Sequence, residues 1–538
     1  MEREENNQEI TTERSITDNK EQKSQSFVNK LFIGILVVLL IILGGGLGWW
    51  YMKQSQPKVS QSTSSAKKKD IAQLTIVSID KGWNTFFPDS DDTSELHFSL
   101  SNQISEGLVG YDNLTDISPR LAESWTNPNQ TTWRFNLKKG VKFHTGRIMT
   151  AEDVVYSFEK AQSLESYDLY TSTIASVTEV NPYVVEIKTK KPDAILLNKI
   201  GLIRIIDANG KAPNNTLTAG TGPYVFKPGT TPRDDRIELV AFDKYHGGRP
   251  TTRALTIYAV DTQEQAMKDL HDKKANLAGE LPDKVSELQK SDYPIEVPNI
   301  GSSFLTINSN KSGPLQKKDV RKAVRYALDV DAIIKESGTN AVAASQLVTK
   351  VIPGYNPDVK VVTQDVERSK SLLTQAGYPN GFPLTFVYSQ SGNEKIAALI
   401  KEQLGSVGII VKLVPLPSND ITELLEKIDS GEADIAILAY NSDTYDAQDV
   451  YEGVFKQTIN FKSPQLDEYL QQVTDTFDGK KRLDTLKNIT SLANEETIVI
   501  PLYVRSNTWV AENNSYVFPR DIANQRMGVY YWKAYMKP

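Results

Sequence analysis

The chain has 538 residues, too many for one hydrophobic core, so at least two domains are expected. Its net charge of −6 lacks the basic excess that nucleic-acid binding uses. The absence of cysteine excludes disulfides, a thiolate nucleophile and Cys-based metal sites in this sequence.

Residues 1–30 are polar and charged, which predicts a disordered tail. Residues 31–52, LFIGILVVLLIILGGGLGWWYM, run without a charge, and about 1.5 Å of rise per residue carries such a helix across a ~30 Å hydrocarbon core. Trp49, Trp50 and Tyr51 sit at its end, where interfacial aromatics belong. The long polar lead and the lack of an A-x-A site favour an uncleaved signal anchor over a removed signal peptide. Flanking lysines and arginines balance across the span and do not fix its orientation. Residues 53–70 are rich in Ser, Gln, Thr and Lys and predict a flexible linker.

The folded part is expected to open with a strand over 71–77 and a helix over 99–107. At 132–158, Trp133, Phe135 and Leu137 alternate with polar residues as in a strand buried on one face. A short return strand is predicted at 141–143. Thr150 and Asp153 have capping-box spacing, and Val154, Phe158 and Ala161 follow on one helical face. Further strands are predicted at 184–188, 237–242, 255–260 and 304–308. The run DVRKAVRYAL at 319–328 predicts a helix. Residues 384–388, a helix ending at Gly408, and 409–414 form a βαβ unit whose strands should be parallel. Residues 423–428 and 434–439 repeat helix, turn and strand, and a last strand is expected over 498–504. The four histidines, His97, His144, His246 and His271, are scattered without metal or catalytic spacing, so no catalytic residue, metal site or cofactor is expected.

The ordered run PRLAESW (119–125), TWRFNLKKGVKFHTGRIMTAEDVVYSF (132–158), GTGPY (220–224), YHGGRP (245–250) and DVRKAVRYALDVDAII (319–334) resembles the family 5 solute-binding proteins of ABC importers. These are the oligopeptide- and dipeptide-binding proteins and their relatives. The sequence departs from the pattern at Thr145 and at Arg147-Ile148-Met149, in a loop where substitution is expected to be cheap, and at His246.

The resemblance implies an α/β fold of the periplasmic binding protein-like class II, with two hinged lobes and the extra domain of the oligopeptide-binding class. It implies lobe I at 71–113, 218–300 and 498–538, the extra domain at 114–217, and lobe II at 301–497. The family pattern places Tyr440, Asn441, Ser442 and Asp443 after a strand, with Asp443 as the acid that meets a peptide's α-amino group. The adjoining strand, including Ala439, would pair with peptide main chain. Ser94 and Glu95, in the acidic loop 91–95, lie where relatives offer the ligand an edge. The implied partners are an oligopeptide and the permease and ATPase subunits of an importer. The chain is expected to act as a monomer outside the cell, held by one membrane helix with its N-terminus inside. A tethered sensor or chaperone-like binder, or a binder of a sugar, an opine or a metal chelate, is the alternative on the same scaffold.

Overall fold

A computed structural model describes residues 69–79, 81, 95–112, 116–210, 219–281, 288–298, 300–417, 421–517 and 531–537. The predicted tail, membrane span and nearly all of the linker lie outside them. Among the described residues no helix is long and apolar enough to cross a membrane.

The architecture is built on a 12-stranded mixed sheet. Its centre is one strand of 13 residues, Val499–Ala511, longer than the predicted 498–504. Residues 499–503 of this strand pair antiparallel with Gly301–Ile307, and residues 506–511 pair with Tyr293–Pro298. Leu277–Leu281 joins the same strand and leads to Leu74–Ser78, Ala254–Ala259, Arg236–Ala241 and Tyr224–Phe226. On the other side, Gly301–Ile307 leads to Ile435–Asn441, Pro383–Ser389 and Ile410–Leu416. One continuous strand thus serves both halves of the sheet.

That strand contains Pro501, which donates no N–H to a ladder. The register slips there: Ser303 faces Tyr503 while Phe304 faces Pro501. Leu502 is the extra residue of a bulge. Its freed carbonyl accepts a hydrogen bond from the Ala344 N–H at 3.0 Å.

The βαβ unit forms as predicted. Pro383–Ser389 and Ile410–Leu416 pair in parallel around the helix Gln390–Gly405. Ile396, Ile400, Leu404 and Val407 are all buried against the sheet, the apolar face that the spacing indicates.

A separate antiparallel sheet has the order Ala122–Asn129, Thr132–Leu137, Val184–Thr189, Ile174–Asn181. Trp133, Phe135 and Leu137 are buried as their alternation requires. The predicted return strand at 141–143 is absent. The segment closes on itself instead, with Phe143 N–H donating to the Arg147 carbonyl and Met149 N–H to that of Val141, both at 2.9 Å. Gly146 supports this turn with φ +92°. Thr132–Leu137 takes its partners from residues 122–129 and 184–189. The first predicted helix begins earlier than expected, as Glu95–Ile104.

The turn at 145–149 is not a place of cheap substitution. Arg147 donates to Asp207 Oδ1 from Nε at 2.7 Å and from an Nη at 2.5 Å, and also pairs with Asp153. Thr145 Oγ1 donates to Asp207 Oδ2 at 2.7 Å, and Met149 is fully buried. Asp153 also accepts the Thr150 N–H at 2.9 Å, completing the predicted capping box. Burial pushes the Asp207 carboxyl up, but the bonds from Arg147 and Thr145 outweigh it and hold it below the ordinary carboxylate range. Its share of stability is therefore present above the unfolded value and lost as pH falls through the folded one.

Replacing Arg147 by Met leaves two carboxylates of 0% side-chain exposure facing each other. The expected loss is about 3–5 kcal/mol at neutral pH, shrinking on acidification as the acids take up protons. Urea unfolding at two pH values checks it. A neutral-pH loss below about 1 kcal/mol would contradict the role given to Arg147.

Candidate functional site

The strand Ile435–Asn441 ends in a loop, residues 442–446, that turns into the short helix Ala447–Tyr451. The strand is buried through Leu438. Ala439 is exposed, and Tyr440 and Asn441 are half-buried. Its pairing with Gly301–Ile307 runs the whole length, Ile307 opposite Ile435 and Gly301 opposite Asn441. Its pairing with Pro383–Ser389 covers only Ile435 and Ala436. From Ile437 to Ala439 that edge carries no ladder partner among the described residues.

The loop is held from three directions. From within, Asp449 Oδ2 accepts the Thr444 N–H at 2.6 Å and its hydroxyl at 2.8 Å, and Asp449 Oδ1 lies 3.0 Å from the Ser442 hydroxyl. From behind, Arg482 grips both oxygens of Asp446 at 2.6 and 2.7 Å. Asp446 also caps the helix by accepting the Gln448 N–H. From across, Tyr111 Oη and Asn198 Nδ2 both donate to the Thr444 carbonyl, at 3.1 and 2.8 Å. The rings of Tyr111 and Tyr445 lie 4.8 Å apart. Tyr445 has φ +54°, a left-handed conformation that a bulky residue adopts only when its surroundings impose it.

Ser442, Thr444, Tyr445 and Asp446 are buried, and Asp443 among them is half-buried. The anchoring of its neighbours thus fixes the Asp443 backbone. Tyr440 has a different setting from Asp443. Its hydroxyl is 3.4 Å from the Asp449 carbonyl, and a Cβ on Gly453 would stand 2.3 Å from it. Asn441 is crowded by Gly301, whose Cβ would fall 1.9 Å from Asn441 Oδ1. The structure brings Ala439, Tyr440, Asn441, Ser442 and Asp443 together on one strand end. Ser94 lies outside the described residues, and Glu95 is described only as the first backbone position of its helix.

Sequence reasoning missed Asp446, Asp449, Arg482, Tyr111, Asn198 and Gly301. The three-residue spacing of Asp443, Asp446 and Asp449 at a helix start was a usable signal for caps. Arg482, Tyr111 and Asn198 are distant in sequence and left none.

Three of the four histidines have described contacts within the fold. His144 Nε2 lies 3.1 Å from the Gly222 carbonyl, and burial lowers its pKa to about 4. His246 meets Glu106 at 2.7 Å, and His271 meets Asp292 at 2.9 Å. Among the described residues no group of three or more His, Cys, Asp or Glu could hold a metal ion.

Burial pushes the Asp449 carboxyl up to about 7; the bonds from Thr444 oppose the shift and the nearby Asp446 adds to it. A raised carboxyl binds its proton more tightly folded than unfolded. Its contribution is full below the unfolded value and is lost as pH rises through about 7. The stability advantage of wild type over Asp449→Asn should therefore be larger at pH 5 than at pH 8, read by urea unfolding. Parallel profiles would show that Asp449 does not titrate in that window.

Residues 116–462 match bacterial extracellular solute-binding proteins, family 5. The dipeptide-binding protein of Escherichia coli K12 is 27% identical over 445 residues, covering 72% of this chain and 80% of that protein. Heme-binding protein A of Haemophilus influenzae is 28% identical over 391 residues, 64% of this chain and 70% of that protein. Among solved structures, HbpA2 from Haemophilus parasuis superposes with a TM-score of 0.76 at 20% identity, over 87% of this chain and 100% of that one. DppA from Helicobacter pylori, in complex with the peptide STSA, gives 0.69 at 23% identity, over 87% and 99%. These structures have the same fold, and the family match spans most of the chain. The chain belongs to the family 5 extracellular solute-binding proteins of ABC transporters.

Proposed function

We propose that the protein captures oligopeptides between two lobes and hands them to an ABC permease, held at the membrane by residues 31–52. The observation that carries this is the strand end 437–443. An edge from Ile437 to Ala439 that has no ladder partner among the described residues offers main-chain donors and acceptors to an extended guest. Such pairing tolerates varied side chains, because it uses only what every residue shares. Asp443 stands at the end of that edge on a fixed backbone, the position for a carboxylate that meets the guest's α-ammonium. A half-buried acid gains from a cation and selects for one. Tyr440, Asn441 and Ser442 complete the strand end, and Ser94 and Glu95 are proposed as further contacts on the resemblance alone.

The sheet supports the two-lobe reading. The halves share the central strand Val499–Ala511, and Tyr293–Pro298 of one half is followed in sequence by Gly301–Ile307 of the other. A ligand that touches both halves shifts the population toward the closed form. No bond is made or broken, so the protein is read as a binder and not an enzyme. The uncharged run 31–52 supports the anchor, and the Ser-rich 53–70 supports a loose tether.

Asp443→Ala should weaken a peptide with a free α-amine about tenfold or more, and leave its N-acetyl form nearly unchanged. Calorimetric titration of both peptides checks it, and equal loss for the two would remove the assigned role. Mass spectrometry of small molecules that co-purify with the chain tests the ligand class directly, with short peptides expected.

A further inference from the structure

Two buried arginines stand one turn apart on the helix Lys318–Ala327 and meet different neighbours. Arg321 is paired with Glu496, whose carbonyl accepts from its Nε at 2.9 Å and whose Oε2 lies 3.2 Å from an Nη. Arg325, 7% exposed, meets one acceptor among the described residues, the amide oxygen Asn494 Oδ1 at 2.5 Å. No carboxylate among those residues lies at ion-pair distance from it. Burial lowers its pKa to about 10, which still leaves it charged at neutral pH. The carboxyl end of its helix offers a partial negative charge, about half an elementary charge spread over the last carbonyls. That is less than the guanidinium carries, and a buried cation short of a full counter-charge is unfavourable.

The guanidinium lines a cavity of about 20 Å³. The cavity lies where its helix, the helix Gly479–Glu496 and the start of the strand Val499–Ala511 come together. Its other polar lining residues are Ser345, Gln346, Tyr451, Thr490 and Asn494, and none of the lining residues is acidic. Some of these are already committed. The Tyr451 and Thr490 hydroxyls bond to each other, and Gln346 is bonded through both ends of its amide to the Asn356 backbone. Others retain a donor. Ser345 Oγ accepts from Gln346 Nε2 at 3.3 Å, and neither its own proton nor Asn494 Nδ2 is donated to any group among the described residues. A cavity of this size has room for one particle about as large as a water molecule. A phosphate, a sulfate or the end of a peptide is too large for it.

We propose that this cavity binds one monoatomic anion, a halide such as chloride, held by the Arg325 guanidinium with the Ser345 hydroxyl and the Asn494 amide as further donors. A water molecule has the right size but brings no charge. The ion meets the donors and the buried cation together. It would tie the two helices to the start of the central strand. None of the lining residues belongs to the strand end 437–443.

The test is thermal unfolding of the full chain in detergent, with sodium gluconate exchanged stepwise for sodium chloride at constant ionic strength. Chloride should raise the melting temperature by about 1–2 °C, and the rise should saturate at concentrations on the order of millimolar, as binding to the folded state does. Two variants remove the need for the ion in opposite ways. Arg325→Gln deletes the charge. Asn494→Asp places a carboxylate where the amide oxygen already meets Arg325. It barely changes the side chain's shape, so this variant should fold, and in gluconate it should melt no lower than wild type does in chloride. The chloride response should vanish in both. Crystals grown with bromide should show an anomalous peak beside Arg325. A response that climbs linearly with chloride, or that is equal in wild type and both variants, overturns the proposal. So does a cavity without a bromide peak, which would then hold water only. No peptide enters the measurement, so the outcome is separable from that of the peptide reading.

Discussion

The ladder along Val499–Ala511 is the constraint on which the rest depends. A strand of 13 residues with different partners on its two parts makes two half-sheets into one structure. It is the strand through which the two halves pair, and it follows both of them in sequence. Contacts between residues 277–281 and 508–511, or 301–307 and 499–503, close loops of about two hundred residues. Such closure is entropically costly and rewards only late in folding. The bulge at Leu502 falls inside the first block of pairing, one residue before that block ends at Tyr503. Pro501 puts it there, because a proline cannot donate in a regular ladder.

Two buried acids on one helix turn show how environment assigns roles. Asp446 is paired with Arg482 through two parallel bonds, so its charge is met directly. Among the described residues Asp449 has no cation at bonding distance; it meets hydroxyls and one amide. Burial then moves its protonation toward neutrality, to about 7. Both hold the same loop, yet one does so as a salt bridge and the other as a hydrogen-bond hub. Asp443, six residues before Asp449, lies between Ser442 and Thr444, the two residues that Asp449 anchors.

Local structure was legible wherever a short-range pattern decides it. The alternation of Trp133, Phe135 and Leu137, the face of Ile396, Ile400 and Leu404, and the Thr150–Asp153 cap are all present. What failed was pairing. Val141 and Phe143 flank a lysine as a strand pair would, and both are buried, but their hydrogen bonds close a tight turn. Alternation reports burial; it does not say which strand lies alongside. The turn at 145–149 failed for the same reason. A loop position looks permissive until its partners, Asp153 and Asp207, are seen to come from a helix start and a distant turn. Resemblance located the strand end 439–443, while the residues that hold it in shape come from 111, 198 and 482.

The strand end is also coupled to the junction between the half-sheets. Gly301 is opposite Asn441 in the ladder and is the first residue of its strand, which follows Tyr293–Pro298 of the other half-sheet. No Cβ fits there, since it would fall 2.3 Å from the Tyr440 carbonyl oxygen. The main chain of Gly301 and that of the site are therefore packed backbone against backbone. The atoms nearest to that position are Asn441 Oδ1, the Tyr440 carbonyl oxygen and Asn441 Cα, so residues 440–441 pack directly on Gly301. The end of Ile435–Asn441 and the start of Gly301–Ile307 are thus in direct main-chain contact.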